Sequence, residues 1–272
     1  GDHLSPTCEP DPDNAGGGIA SLRLGSHPNQ DGFFYFTAES AESAEFFPSV
    51  FSAPSAVRKA LMALLIFANG VLDEVAWIRP YLTQATAVWA ADGGSRHLFR
   101  LGHLPDKVIG DMDSLAPELQ DWLTTNQILF DQHPPEKNET DLELTLLLAA
   151  ERPEKDIWLF GLLGGRLDQT LANIFLLTHP ALVGKSVQLI TPTERAWLVR
   201  QQTNIVGRVG DLVSLIPLAG DAEGVSTTGM QWTLQAEPLH FGQARGISNR
   251  LTAEKATVTL EKGLLLCVHT HS

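Results

Sequence analysis

Two aspartates, Asp111 and Asp113, stand one residue apart just after the apolar pair Val108 and Ile109. At a strand-end turn, residues i and i+2 can project to the same side, so both carboxylates could face one point. Carboxylates held that close repel unless a cation lies between them, and Mg²⁺ takes hard oxygen ligands together with substrate phosphates. The alternative is a turn in which both aspartates bond to nearby backbone N–H groups. For this pair taken alone, the turn is the favoured interpretation.

Two further aspartates follow apolar runs in the same way. Asp92 lies in "AADGG", and Asp141 lies in "ETDLE". Asp141 has a second explanation, because residues 140–143 fit a capping box in which an acidic first turn complements the helix dipole. Lys137, four residues upstream, is predicted to lie on a loop where a phosphate could approach.

The segment "GLLGGRLDQTLAN", residues 161–173, is the strongest candidate for phosphate binding. Paired glycines before a helix allow close backbone approach, and the helix start offers free N–H groups to an anion. Arg166 adds a forked donor that suits phosphate. The alternative is a tight turn in which Arg166 pairs with Asp168. The common dinucleotide, P-loop, zinc-protease and serine-hydrolase motifs do not occur, and His269 and His271 are interpreted as surface or packing residues.

Alternating elements must position these residues. Six short apolar runs are predicted to be strands: 64–70, 87–94, 107–111, 127–130, 156–161 and 187–191. Four stretches between them carry helical spacing: 73–85, 114–125, 139–151 and 166–179. The stripe in the last stretch consists of Leu167, Leu171, Ile174 and Leu177. This alternation predicts a parallel sheet covered by helices on both faces, with ligands at the carboxyl ends of the strands.

The chain divides into three stretches. Residues 1–58 are rich in Pro, Gly, Ser and acid and are predicted to be an extension that is partly ordered, since six of the twelve phenylalanines cluster between residues 33 and 51. Residues 59–193 are predicted to form the α/β domain, with a mostly parallel, Rossmann-like sheet. Residues 194–272 carry short β-like runs between turn residues, which predict a smaller all-β sandwich.

The composition is that of a globular protein of 272 residues, 43% apolar and 19% charged. A formal charge of −13 argues against nucleic acid as the main partner. The two cysteines, Cys8 and Cys267, have no metal-type spacing and favour a reducing compartment. The longest apolar segment, residues 60–68, falls far short of the ~20 residues that span a bilayer. We therefore expect a cytoplasmic protein without a membrane or nucleic-acid partner.

The order of the motifs along the chain is more specific than any one of them. From "ADGG" through "GDMDS", "KNETDLE" and "GGRLDQTLAN" to "TTGMQWTL" and "GISN", the chain resembles the thiamine pyrophosphokinase family from about Leu64 to its C-terminus. The resemblance implies Mg²⁺-dependent transfer of a pyrophosphoryl group from ATP to the hydroxyl of thiamine, which gives thiamine diphosphate and AMP. It also implies a homodimer in which the β domain of one subunit completes the active site of the other.

The resemblance also implies roles for individual residues. The carboxylates that organise metal and phosphate are Asp111, Asp113 and Asp141. The residues near the nucleotide and its phosphates are Asp92, Gly93, Gly94, Lys137, Gly165, Gln169 and Asn173, with Arg166 and Asp168 beside the transferred group. The thiamine pocket has Trp232 as its stacking aromatic residue, with Ser248 and Asn249. Without the motif, Trp232 would be interpreted as a core residue of the β domain. Asp141 or Asp168 could orient the attacking hydroxyl.

Two positions depart from the pattern of the family. Asn138 stands where bacterial members usually carry Asp, and Gln169 replaces a common His. Neither change touches the three central aspartates, so we expect activity to survive. Two alternative functions stay open: a related pyrophosphokinase that acts on a pterin alcohol, and a catalytically silent protein that binds thiamine as a sensor. The retained aspartates and Arg166 argue against the sensor, and "GMQW" with "GISN" argues for thiamine over a pterin.

Overall fold

The computed structural model describes residues 62–113, 115–134 and 136–271. The predicted N-terminal extension, its phenylalanine cluster and Cys8 lie outside the described residues. Within the described part of the chain, no helix is long and apolar enough to cross a membrane.

The first part of the described chain alternates strands and helices. The strands are β1 Ala63–Phe67, β2 Ala85–Ala91, β3 Lys107–Gly110, β4 Leu129–Gln132, β5 Asp156–Phe160 and β6 Ser186–Ile190. The helices are α1 Arg79–Leu82, α2 Ser95–Leu101, α3 Pro117–Thr125, α4 Asp141–Ala150 and α5 Leu167–Leu176. Short 3₁₀ turns span Ala76–Ile78, Asp92–Gly94 and Pro180–Leu182. These six strands pair in parallel in the order β6-β5-β1-β2-β3-β4, as the alternation predicts.

The central strand β1 is buried on both faces, which explains its unbroken apolar sequence. On one face, Leu64 and Ile66 pack in a core with Leu146 of α4. On the other face, Leu65 and Phe67 pack in a core with residues of α2 and α3. The predicted parallel sheet with helices on both faces is therefore confirmed.

The remaining strands are antiparallel. They are β7 Glu194–Val199, β8 Gln202–Val206, β9 Leu212–Pro217, β10 Ala222–Thr228, β11 Glu237–Leu239, β12 Asn249–Arg250, β13 Lys255–Thr259 and β14 Leu265–Thr270. Strand β7 pairs antiparallel with β6 and so extends the first sheet to ten strands, in the order β12-β9-β14-β7-β6-β5-β1-β2-β3-β4. A second sheet, β11-β10-β13-β8, packs on the antiparallel half, and Val213 and Leu265 of the large sheet share a core with Val225 and Val258 of the small one.

The predicted sandwich is present, but one of its two sheets is continuous with the α/β sheet. The pairing changes from parallel to antiparallel between β6 and β7, close to the predicted boundary at residues 193 and 194. The division into domains at that point stays a prediction.

Two helices differ from the sequence prediction. Residues 73–85 contain only a 3₁₀ turn and the four-residue α1, because Pro80 lacks an N–H group and can only begin a helix. Helix α2 was not predicted at all. It is seven residues long, follows directly from the turn at Asp92–Gly94, and ends at Gly102, whose φ of 65° is left-handed.

Candidate active site

Gly110, the last residue of β3, lies between two of the predicted aspartates. A Cβ on Gly110 would lie 2.8 Å from Cβ of Asp92, at the end of β2, and 3.2 Å from Oδ1 of Asp141, at the start of α4. A side chain at position 110 would therefore collide with Asp92 and press against Asp141. The parallel strands thus bring Asp92 and Asp141 together at their carboxyl ends, as the sequence predicts.

Asp111 and Asp113 follow Gly110 directly. The backbone N–H of Asp113 donates to Asp111 Oδ1 at 3.3 Å, so part of the turn that was the alternative interpretation is present. The pKa of Asp113 is raised, first by its hydrogen bond to Asp111 and by the charge of Asp111, and then by desolvation and the charges of Asp92 and Asp141. All four carboxylates therefore act on one region, and they disfavour the ionised form of Asp113.

Asp141 serves both the helix and the site. Oγ1 of Thr140 accepts the N–H of Glu143 at 3.2 Å, so this half of the predicted capping box is present at the start of α4. The Asp141 side chain does not make this cap hydrogen bond. Its Oδ1 lies 2.5 Å from Nζ of Lys137. Lys137 therefore neutralises part of the acidic cluster from the loop before α4.

The turn before α5 is built on left-handed glycines. Gly164 and Gly165 have φ angles of 88° and 73°, and a Cβ at Gly165 would meet no atom within 4 Å. The backbone is therefore open to an approaching group at Gly165. Asn173 donates from Nδ2 to the carbonyl of Leu162 at 2.9 Å, which ties the turn to α5.

Arg166 and Asp168 form the ion pair that was the alternative interpretation of this segment. Arg166 Nε lies 3.1 Å from Asp168 Oδ1, and Nη2 lies 2.5 Å from Oδ2. The pair lowers the pKa of Asp168, whose Oδ1 also accepts the N–H of Gln169 at 2.9 Å. Both side chains are mostly exposed, 72% and 64%, and the ion pair does not use Nη1 of Arg166.

The loop after β1 is a part of the site that sequence reasoning missed. Nη2 of Arg96 donates to the carbonyls of Asn69 and Gly70 at 2.9 and 2.8 Å, and Arg100 donates to those of Leu72 and Asp73. Helix α2 therefore holds this loop through four main-chain carbonyls. The available signal was the i, i+4 spacing of two arginines in "SRHLFR", directly after "ADGG".

That loop in turn holds the glycine turn before α5. Gly70 N–H donates to the Gly161 carbonyl at 2.6 Å, and Val71 N–H donates to the Leu163 carbonyl at 2.8 Å. Nε2 of His97 also lies 3.0 Å from the Gly70 carbonyl. Hydrogen bonds therefore link α2 to the loop at residues 69–73, and that loop to the turn at residues 161–165. Through these contacts α2 positions the candidate phosphate turn.

Close backbone packing also explains the glycine pair after Asp92. A Cβ on Gly94 would lie 2.0 Å from the Phe67 carbonyl oxygen, and one on Gly93 would lie 2.5 Å from Nδ2 of Asn69. Both glycines are buried, so they bring the end of β2 against the end of β1. This packing sets the position of Asp92.

The predicted thiamine residues form a second cluster, in the sandwich. Trp232 N–H donates to Asn249 Oδ1 at 3.0 Å, and Asn249 Nδ2 donates to the Trp232 carbonyl at 2.7 Å. Ser248 has a φ of 60° and donates its N–H to Ser214 Oγ at 3.0 Å. Trp232 is 56% exposed, so the alternative that it is a core residue is wrong. The two hydrogen bonds fix the main chain of Trp232 at the surface, where its exposed indole ring can stack on a flat ligand.

The two clusters lie far apart within one chain. Strand β12, which carries Asn249, is at one edge of the ten-stranded sheet, and β2 and β3 are seven and eight positions away. At roughly 4.8 Å per strand, the separation is on the order of 35 Å. The fold of one chain therefore does not bring the carboxylate cluster and Trp232 to the same small ligand.

The chain matches two sequence models of known domains. The model described as thiamin pyrophosphokinase, catalytic domain, matches residues 78–190, and the model described as thiamin pyrophosphokinase, vitamin B1 binding domain, matches residues 200–265. The thiamine pyrophosphokinase of Bacillus subtilis (strain 168) is 26% identical over 205 residues, which are 75% of this chain and 96% of that protein. Thiamine pyrophosphokinase 3 of Oryza sativa is 28% identical over 197 residues, which are 62% of this chain and 73% of that protein.

Solved structures agree with these sequence matches. A crystal structure of the thiamine pyrophosphokinase from Bacillus subtilis superposes with a TM-score of 0.71 at 26% identity and covers 77% of this chain and 99% of that one. The crystal structure of the yeast enzyme gives a TM-score of 0.67 at 18% identity and covers 77% and 86% of the two chains. At that lower identity the likeness shows the fold alone.

Proposed function

The chain belongs to the thiamine pyrophosphokinase family, and we propose from this premise that it transfers a pyrophosphoryl group from ATP to the hydroxyl of thiamine, with Mg²⁺ and with AMP as the second product. The observation that carries the proposal is the convergence of four carboxylates around Gly110, at the carboxyl ends of the parallel strands. Ligands of such sheets bind at that edge.

The acidic cluster fits a magnesium ion. Asp111, Asp113 and Asp141 offer the hard oxygen ligands that Mg²⁺ prefers, and the raised pKa of Asp113 is the mark of carboxylates that lack a sufficient counter-charge. When bound, Mg²⁺ would neutralise charge on the phosphates during transfer. Asn138, next to Lys137, is uncharged. The anionic ligands of the magnesium ion would therefore be the three aspartates.

The basic groups and the glycine turn suit the triphosphate. Lys137 stands at the acidic cluster, and Arg166 stands with its guanidinium exposed at the open turn around Gly165. Pyrophosphoryl transfer depends on positioning and charge neutralisation more than on covalent help from the protein. In this proposal Gln169 and Asn173 hold the start of α5 against the phosphates, with Asp92, Gly93 and Gly94 near the nucleotide. Asp141 or Asp168 orients the hydroxyl.

Thiamine would bind in the sandwich of the other subunit of a homodimer. The positively charged thiazolium ring suits the exposed face of Trp232, and Ser248 and Asn249 lie beside that residue. The separation on the order of 35 Å across the sheet supports a site completed by a partner, because one chain cannot offer Trp232 to its own carboxylates. The exposed apolar side chains of α5, Leu167, Leu171 and Phe175, support association as well. A cytoplasmic location, where ATP is abundant, belongs to the same proposal.

Acceptor choice is the test that separates this function from its alternatives. Purified protein is incubated with Mg-ATP and, in parallel, with thiamine, with a hydroxymethylpterin or with no acceptor. We expect the thiamine reaction alone to consume ATP rapidly. A reaction with the pterin alone would overturn the assignment of Trp232. Tight binding of thiamine without consumption of ATP would overturn the catalytic proposal in favour of a sensor.

A further inference from the structure

Three side chains of the metal-binding type meet in the sandwich, away from the carboxylate cluster. They are Asp211, just before β9, and His269 and His271 at the end of β14. Strand β14 pairs with β9 so that Thr270 lies opposite Leu212, and the same register places His271 opposite Asp211. His269 and His271, two residues apart, project to the same face of the sheet.

The distances within this cluster suit one small cation. Nε2 of His269 lies 2.9 Å from Oδ2 of Asp211, and Nδ1 of His271 lies 3.6 Å from the same oxygen. All three atoms lie within 4.8 Å of one another. A tetrahedral zinc ion with bonds of about 2.1 Å holds its ligand atoms about 3.4 Å apart. Small side-chain movements would therefore bring all three to bonding distance.

Hydrogen bonding alone does not account for the position of His271. Oδ2 of Asp211 already accepts the backbone N–H of Arg208 at 2.9 Å and lies within hydrogen-bond distance of His269. Nδ1 of His271 lies 3.6 Å from the same atom, too far for a third hydrogen bond, and the His271 ring packs against that of His269. The bond from Arg208 instead resembles the outer contact that orients a metal-binding carboxylate.

Gly207 leaves room beside these atoms. A Cβ at this position would lie 2.7 Å from both Oδ2 of Asp211 and Nε2 of His269. A side chain would therefore compete for the space over the two ligand atoms. Asp211 and His269 are 1% and 2% exposed, whereas the side chain of His271 is 31% exposed, so the third ligand stands at the entrance from solvent.

We propose that Asp211, His269 and His271 form a binding site for a transition-metal ion of the zinc class, with water in the remaining position. Two imidazoles and one carboxylate suit Zn²⁺, whereas Mg²⁺ prefers oxygen ligands alone. The site joins the end of β14 to the turn before β9 and so fastens one end of the sandwich. It is separate from the magnesium site proposed for catalysis.

The test measures Zn²⁺ binding to the full chain after removal of metals by a chelator. Excess Mg²⁺ is kept present so that the carboxylate cluster does not take up zinc. We expect the wild-type protein to bind one equivalent and to gain thermal stability from it. His271→Gln, at the partly exposed position, should weaken binding by about tenfold or more while the apoprotein stays folded.

His240→Gln is the matched control. His240 also pairs with an aspartate, since its Nδ1 lies 2.7 Å from Oδ2 of Asp221, but the pair is exposed and does not belong to the three-ligand cluster. This variant should bind zinc like the wild type. Absence of binding to the wild type, or equal affinity in the wild type and His271→Gln, would overturn the proposal. Pyrophosphoryl transfer to thiamine is not needed for either readout, so failure here leaves the proposed function untouched.

Discussion

At the level of single residues, the candidate site has an excess of negative charge. Asp92, Asp111, Asp113 and Asp141 act on one region, and Lys137 pairs with one of them. The raised pKa of Asp113 reflects repulsion from its neighbouring carboxylates, which an added positive charge would relieve. This is the physical reason to place Mg²⁺ there.

Replacement of Asp113 by Asn should separate function from stability. We expect the Mg²⁺-dependent turnover rate of Asp113→Asn to be lower than that of the wild type by about 100-fold or more. The thermal midpoint should hardly change, because the side chain is exposed and its removal relieves repulsion. Asp121→Asn, an exposed aspartate on α3, is the matched control and should keep full activity. Wild-type rates in Asp113→Asn would contradict the metal role.

Arg166 offers a test of the phosphate turn. Arg166→Lys keeps the charge but loses the planar fork, so kcat/KM for ATP should fall by about tenfold or more. Unfolding by urea should be unchanged, because the ion pair with Asp168 is exposed to solvent. Arg245→Lys, in the exposed pair with Glu237, is the control with an unchanged rate. Equal kinetics for both variants would contradict a phosphate role for Arg166.

Sequence spacing predicted which residues meet at the strand ends. It left open which side chains form hydrogen bonds or ion pairs with one another. The convergence of Asp92 and Asp141 follows from where parallel strands end. The choice of Asp168 as the partner of Arg166 and the surface position of Trp232 depend on side-chain geometry and on the hydrogen bonds between Asn249 and the Trp232 main chain. Alternation of residue types does not encode such contacts.

At the level of elements, α2 positions part of the candidate site through a loop that it contacts. It holds the loop at residues 69–73, which in turn holds the glycine turn at residues 161–165. Strand runs were predictable because buried parallel strands are continuously apolar. Helix α2 escaped prediction because it is only seven residues long, so its buried Leu98 and Leu101 form too short a stripe to indicate a helix. Its contacts from arginine side chains to carbonyl groups add no apolar pattern.

His97 on α2 should make stability depend on pH. Burial, followed by the charges of Arg96 and Arg100, lowers its pKa from 6.5 to about 4. Between these values the unfolded chain binds a proton that the folded chain does not, so stability is lost as the pH falls from 6.5 to 4. A lowering of the pKa from 6.5 to about 4 corresponds to a contribution of about 3 kcal/mol.

The measurement compares urea unfolding of the wild type and His97→Gln over that pH range. Gln retains a donor for the Gly70 carbonyl but does not titrate. The free energy of unfolding of the variant should therefore decline less steeply than that of the wild type. Parallel pH profiles of the two proteins would show that His97 does not titrate as described.

At the level of the whole molecule, one sheet of ten strands runs through both predicted domains. The change in sequence pattern near residue 195 predicted the change from parallel to antiparallel pairing but not the continuity of the sheet. Which strand lies beside which depends on contacts between residues that are distant in sequence, such as those of β1 with β5 and of β7 with β14. In this continuous sheet, β12, whose Asn249 bonds to Trp232, lies at one edge, and the strands that carry the carboxylates lie near the other edge.

Mixing two variants tests whether sites are completed between subunits. Asp113→Asn and Trp232→Ala each damage a different half of the site, so each homodimer should be nearly inactive. After subunit exchange, half of the dimers are mixed and contain one intact site out of two, so about a quarter of wild-type activity should return. Activity that stays at the mean of the two separate variants would show that each chain builds its own site.

The identity of the nucleotide product distinguishes transfer of a pyrophosphoryl group from transfer of a single phosphoryl group. Purified protein is given Mg-ATP and thiamine, and both products are followed in time by chromatography. We expect AMP and thiamine diphosphate in equal amounts. Formation of ADP with thiamine monophosphate, or of neither product, would contradict pyrophosphoryl transfer.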